Sequence, residues 1–140
     1  MDVVIRPARA DEVREVLALW RQAGAIPSVT DDAESVRALI RRDPGSLLLA
    51  EVDGRAVGTL VVTWDGWRGH LYRLVVSPDV RRRGIASRLV HEAERRLRAA
   101  GAKKVTAIVV AEHDHAVGFW RAVGYEHDEN VRRYVRIVGA

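Results

Sequence analysis

The chain has 140 residues, 48% of them hydrophobic and 30% charged, the proportions of a single folded domain; composition points away from the disordered and membrane-embedded classes. It contains no cysteine, which removes disulfides, thiolate catalysis and cysteine-based metal centres and suits a reducing cytoplasm. The net charge of +4 is unevenly spread: residues 1–70 carry 9 Lys/Arg against 11 Asp/Glu (−2), and residues 71–140 carry 14 against 8 (+6). An anionic ligand is therefore sought in the second half.

No apolar run approaches the roughly 18 residues of a membrane span. The first thirty residues, with Asp2, Arg6, Arg9, Asp11, Glu12 and Arg14 among short apolar stretches, do not read as a secretory signal. No repeat or linker interrupts the sequence, so residues 1–140 read as one domain. Val3-Val4-Ile5-Arg6 is a short strand stopped at Pro7. Val13, Val16, Leu17 and Trp20 then form one face of a helix that ends near Gly24. A second helix opens on the capping-box pattern Asp31-x-x-Glu34, buries Val36, Leu39 and Ile40, and stops at Asp43-Pro44-Gly45.

Two strand-like runs, Leu47–Val52 and Ala56–Thr63, flank Asp53-Gly54, a strong hairpin signal. A further strand, His70–Ser77, closes at Pro78. The longest helix follows over Ile85–Ala100, with the stripe Ile85, Leu89, Ala93 and Leu97, outer pairs Glu92–Arg96 and Glu94–Arg98, and Gly101 at its end. Val105–Ala111 is nearly all apolar and reads as a strand covered on both faces. Ala116, Phe119, Trp120 and Val123 mark a short helix ended by Gly124, with Asp114 as its N-cap. Tyr134–Val138 alternates like an outer strand. The order β-α-α-β-β-β-α-β-α-β predicts an α/β (α+β) fold with a central mixed sheet and helices on both faces.

The informative stretch is Leu74-Val75-Val76-Ser77-Pro78-Asp79-Val80-Arg81-Arg82-Arg83-Gly84-Ile85-Ala86-Ser87. A strand runs into a turn that opens the longest helix, whose first N–H groups lack internal partners and form an anion site. Gly84 has no Cβ to block approach, and Ala86 and Ser87 are small. Positive charges at a helix N-terminus oppose its dipole by ~0.3–1 kcal/mol each. Alone, Arg81-Arg82-Arg83 would read as a solvated basic loop; between this strand and this helix it reads as an anion site. The segment matches neither the Gly-Lys-Ser/Thr ending of a P-loop nor a G-x-G-x-x-G dinucleotide turn.

Arg81-x-x-Gly84-x-Ala86 after Leu74-Val75-Val76-x-Pro78 resembles the cofactor motif of the GNAT acyltransferases. Ala116-x-x-Phe119-Trp120-x-x-x-Gly124-Tyr125 resembles that family's last helix and turn. The resemblance covers essentially the whole chain. It implies a bulge before the motif, a sheet splayed between its two middle strands, and acetyl-coenzyme A lying in a cleft between His70–Ser77 and Val105–Ala111. It further implies that the backbone of Leu74, Val75 and Val76 holds the pantetheine and thioester, and that Arg81, Arg82, Arg83, Gly84, Ile85, Ala86 and Ser87 cradle the pyrophosphate. The resemblance adds His113 and Trp120 as candidate cofactor contacts.

Departures from the family's pattern bear on the chemistry. Where many relatives have a tyrosine that protonates the leaving thiolate, this chain has Trp120, whose indole N–H is no acid near neutral pH. His113 replaces a common asparagine, and Ile108 stands where some relatives have a basic glutamate. Trp120 either packs on the pantetheine arm or is core at helical spacing. Tyr72, Glu112 and His113 are the remaining candidates for acid–base work, Tyr72 being equally a strand-favouring aromatic. His113 and His115 around Asp114 suggest a polar helix start rather than a metal site, and no metal is expected. Trp64 and Trp67, beside Asp65 in a turn, are either a binding surface or the cover of a core edge.

The sequence thus predicts an N-acetyltransferase moving acetyl from acetyl-coenzyme A to a primary amine, on a small molecule or a peptide, in a cytoplasmic monomer or homodimer without membrane or nucleic-acid partners. A coenzyme A-binding sensor without turnover is the alternative, resting on the missing acid and base. A nucleic-acid binder, resting on the arginines alone, is third.

Overall fold

A computed structural model describes residues 1–110 and 114–139, the side chain of Asp114 excepted. Two compact units, Met1–Ile108 and Val109–Ala140, are described in turn.

The first unit is a five-stranded sheet in the order β1 (Val4–Pro7), β2 (Leu47–Val52), β3 (Arg55–Trp64), β4 (Gly69–Val76) and β5 (Val105–Ala107). All neighbours are antiparallel except β4 and β5, which are parallel. Hairpins join β2 to β3 and β3 to β4 at little entropic cost, and at Asp53-Gly54 both turn residues take positive φ (50° and 78°), the combination that matches strand twist. The parallel step needs a crossover, which α3 (Ile85–Ala100) supplies.

Helices cover both faces. On one, α1 (Val13–Gln22) and α2 (Ala33–Arg42) set Val13, Val16, Leu17, Trp20 and Val36 against Leu47, Leu49, Val61 and Val75. On the other, α3 lays Ile85, Leu89 and Leu97 over two glycines of the sheet. A Cβ on Gly58 would stand 3.3 Å from Ile85 and Leu89, and one on Gly69 only 2.7 Å from a Leu97 methyl. Each fully buried Leu or Ile contributes about 1.5–3 kcal/mol of transfer free energy, so these two layers hold the sheet. α3 ends where the sequence predicts, at Gly101 (φ 106°), whose N–H reaches Arg98 O and whose neighbour Ala102 N–H reaches Leu97 O.

α2 starts one residue later than the capping pattern suggests. Asp32 is the cap, accepting from Ser35 N–H at 2.7 Å, and Asp31 faces elsewhere. The apolar run predicted as Val105–Ala111 forms a strand only over Val105–Ala107, and those residues are half-buried rather than covered on both faces. Its ladder to β4 pairs Gly69, His70 and Leu71 with Val105, Thr106 and Ala107. Ala111 lies outside the described residues.

In the second unit, α4 (Asp114–Ala122) carries Phe119 and Trp120 and closes on Gly124 (φ 97°), with Tyr125 N–H bonded back to Trp120 O at 2.9 Å. Asp114 already belongs to the helix, and its capping role lies outside the described side chains. The outer strand expected over Tyr134–Val138 is absent: residues 131–139 form no ladder, and Tyr134, Val135 and Ile137 are exposed. Alternation alone does not make a strand. It needs a neighbouring edge to satisfy its backbone, and among the described residues none pairs with this segment.

Candidate cofactor site

β4 changes character at Arg73. Its pairing with β3 shifts by one between Val61↔Tyr72 and Thr59↔Val75, so Arg73 and Leu74 together oppose Leu60. This is a β-bulge, and Arg73 sits in it with φ 53°, a left-handed conformation that costs a branched or long side chain about 1–2 kcal/mol. Before the bulge, Gly69 and Leu71 direct their backbone groups at β5: Gly69 N–H donates to Lys104 O and Leu71 O accepts from Ile108 N–H. Beyond it, Ser77 N–H donates to Val57 O at 2.8 Å. Antiparallel alternation then makes Thr59 and Val75 the next hydrogen-bonded pair, and turns the backbone groups of Leu74 and Val76 to the opposite edge. Among the described residues the ladder on that edge ends at Ile108.

Four side-chain contacts hold the bulge. Thr59, fully buried, donates its hydroxyl to Arg73 O at 3.1 Å and accepts from Trp20 Nε1–H at 2.9 Å. The Arg73 guanidinium donates to Asp31 Oδ2 at 2.5 Å and lies 5.2 Å above the Trp20 ring. Neither charge is more than 20% exposed. Spacing reads Trp20 as part of the first helix's apolar stripe and Asp31 as a helix cap, and nothing in it brings them to Thr59 and Arg73, although one signal of the bulge is there. In His70-Leu71-Tyr72-Arg73-Leu74-Val75-Val76, a charge followed by three apolar residues breaks period-two alternation, as an extra residue in the strand would.

After β4, Pro78–Val80 makes a single 3₁₀ turn. Asp79 there accepts from the Ser77 hydroxyl and from Arg55 at 2.7 Å; the Ser77 bond first, then Arg55, holds its carboxyl below the usual carboxylate range. Arg81 folds back, donating Nε to Val76 O at 3.2 Å and a terminal nitrogen to Ala23 O at 3.4 Å, so it ties the end of β4 to the end of α1. Arg82 (φ 65°) and Gly84 (φ 78°) are both left-handed, and Gly84 is the N-cap of α3. No side chain caps that helix, its first turn holds no acidic residue, and a Cβ on Gly84 would meet nothing within 4 Å. The N–H groups of Ile85, Ala86 and Ser87 thus begin the helix unopposed, beside the exposed Arg82 and Arg83. That arrangement fits a phosphate ligand in charge, donors and space.

The candidate acid–base groups are less well defined. Tyr72 is half-buried against the α1 side of the core, its ring stacked 6.2 Å from His70. Glu112 and His113 lie outside the described residues. In the second unit Trp120 meets Phe119 and Tyr125 edge-on, at 5.4 and 5.0 Å between ring centroids. Trp67 is 71% exposed with the Arg68 guanidinium 4.0 Å from its ring, while Trp64 is half-buried. Among the described residues no three His, Asp or Glu side chains converge as a metal site. No described helix is long and apolar enough to cross a membrane.

The site is thus a mixed sheet bulged in its fourth strand, leading into a glycine-started helix without a side-chain cap. The chain belongs to the GNAT acetyltransferase family, whose model matches residues 12–125. It is 34% identical over 127 residues to Acetyltransferase SG1711 of Sodalis glossinidius (strain morsitans), covering 91% of this chain and 89% of that one. Its fold resembles the PaiA N-acetyltransferase of Thermoplasma acidophilum in complex with coenzyme A, at a TM-score of 0.82, 18% identity and 92% coverage of each chain. It also resembles AAC(6')-Iy in complex with the bisubstrate analogue CoA-S-monomethyl-acetylneamine, at a TM-score of 0.74, 19% identity and coverage of 99% and 100%.

Proposed function

We propose that this acetyltransferase moves acetyl from acetyl-coenzyme A onto a primary amine by direct attack within a ternary complex, as one domain spanning residues 1–140. The observation that carries the reading is the opened edge of β4 leading straight into the Gly84 helix start. Leu74 and Val76 N–H groups would bind the pantetheine and the thioester carbonyl, and would stabilise the charge that develops on its oxygen. Val75, whose backbone faces β3, would contribute through its position between them. The N–H groups from Arg82 to Ser87 would take the pyrophosphate, with Arg82 and Arg83 as flanking charge. Arg81 would act by fixing Val76 rather than by touching phosphate.

Holding amine and thioester together supplies most of the rate in such a scheme, by proximity. The amine must shed a proton, and Tyr72, Glu112, His113 or an ordered water is the route. Trp120 would not serve as the acid. A free thiol has a pKa of ~8.5, so the leaving group needs only modest help. That AAC(6')-Iy binds an analogue joining both substrates supports the ternary reading, and an aminoglycoside or a peptide amine suits the acceptor role. A monomer or homodimer in the cytoplasm, without nucleic acid or membrane, completes the proposal.

Calorimetric titration with acetyl-coenzyme A, followed by thiol release over a panel of amines, tests it. Micromolar binding with release on at least one amine is the expected result. Binding without release on any amine would favour the sensor reading instead. Absence of binding, with salt-dependent capture of duplex DNA, would favour a nucleic-acid binder.

A further inference from the structure

We propose that Arg73 is a positioning residue, whose side chain locks its own backbone into the left-handed bulge that turns Leu74 and Val76 toward the cofactor; this rests on the cofactor reading above. The contacts form a closed ring. Arg73 O is held by Thr59, Thr59 is held by the Trp20 indole N–H, and the same indole's face carries the Arg73 guanidinium, which also donates to Asp31. One residue is thereby gripped at its carbonyl and at the far end of its side chain. A left-handed arginine persists only where its surroundings over-determine it, and these surroundings do.

The ring also explains why a charged residue stands directly before the apolar run Leu74-Val75-Val76. Glycine would adopt the same φ more easily but would have nothing to anchor. Asp31 lies just before the Asp32 cap of α2, and Trp20 lies in the last turn of α1, so the anchor is built from the ends of two helices. The conformation of β4 is thus set by the segment joining α1 and α2. Arg81 reaches the same region from the opposite end of the strand, through Ala23 O.

The test uses the whole chain and two ligands: acetyl-coenzyme A, and its nucleotide half, adenosine 3′-phosphate 5′-diphosphate, which lacks the pantetheine arm. In Arg73→Ala and Asp31→Asn, affinity for acetyl-coenzyme A should fall about tenfold, while affinity for the nucleotide half stays within twofold of the parent. Arg73→Gly, which relieves the backbone but drops the anchor, should fall between parent and Arg73→Ala. Circular dichroism and melting curves confirm that each variant is folded. Unchanged acetyl-coenzyme A affinity in folded Arg73→Ala would overturn the proposal, as would equal weakening of both ligands. If Arg73→Ala fails to fold, Asp31→Asn carries the same two outcomes. A parent protein that binds neither ligand would instead refute the cofactor reading.

Discussion

On the N-terminal side of Arg73, β4 is an interior strand: Gly69, His70 and Leu71 pair with β3 on one edge and β5 on the other. On the C-terminal side the β3 ladder continues through Val75 and Val76, while among the described residues the ladder on the other edge ends at Ile108 and alternation turns the Leu74 and Val76 backbone groups to that edge. The first stretch is Gly69-His70-Leu71-Tyr72 and the second Leu74-Val75-Val76, and both are extended against β3. What separates them is one left-handed residue. A single positive φ exchanges which edge each residue serves, so the first half pairs on both edges and the second is the half to which the proposal assigns the cofactor.

This contrast makes separable predictions. The largest effect is expected at the binding end. Gly84→Val puts a branched side chain into the open space at the start of α3 where the proposed pyrophosphate approaches the backbone, and should weaken acetyl-coenzyme A by ~10–100-fold. Calorimetry reads the change, with the melting temperature as the control for folding.

Next is a substitution in the structural half. Gly69→Val would press a side chain onto Leu97, where even a Cβ would sit 2.7 Å from a methyl. Overpacking of this kind costs about 1–3 kcal/mol, read as a fall in the urea midpoint, while cofactor affinity in the folded protein stays unchanged.

Thr59→Val joins the two behaviours. It leaves the Trp20 indole N–H buried without its partner and removes the bond to Arg73 O. Stability should drop by about 1–3 kcal/mol, and acetyl-coenzyme A binding should weaken with it.

The smallest effect lies outside β4 and sharpens the contrast by leaving binding alone. Glu12 accepts two bonds from Arg6, which hold its carboxyl at about 2 against an ordinary 4.5. Because the folded value is the lower one, this stabilisation is complete above about 4.5 and is lost as pH falls toward about 2. Glu12→Gln should flatten the acid side of the stability profile over that window without altering acetyl-coenzyme A affinity at neutral pH.

Much of this was readable in the residues, because the relevant physics is local. The Asp53-Gly54 hairpin, the α3 stripe with its Gly101 end, and the Gly84 helix start each depend on a few neighbouring positions. The features that escaped are long-range. Thr59, Trp20 and Asp31 reach Arg73 across 14 to 53 positions, and no periodicity records such a meeting. Asp31 looked like a helix cap because Asp31-x-x-Glu34 fits the pattern, yet its neighbour Asp32 caps α2 while Asp31 pairs with Arg73. The shortened β5 and the missing strand over Tyr134–Val138 share a cause: apolar alternation marks a candidate strand, but only a paired edge makes one.

Amide hydrogen exchange, followed residue by residue with and without acetyl-coenzyme A, addresses the division of β4 most directly. Val75, bonded to Thr59 across the ladder, should be protected in both states. Leu74 and Val76 should exchange readily in the free protein and become protected on binding, together with Ile85, Ala86 and Ser87. Leu74 and Val76 protected already without ligand, or unaltered by bound acetyl-coenzyme A, would contradict the account.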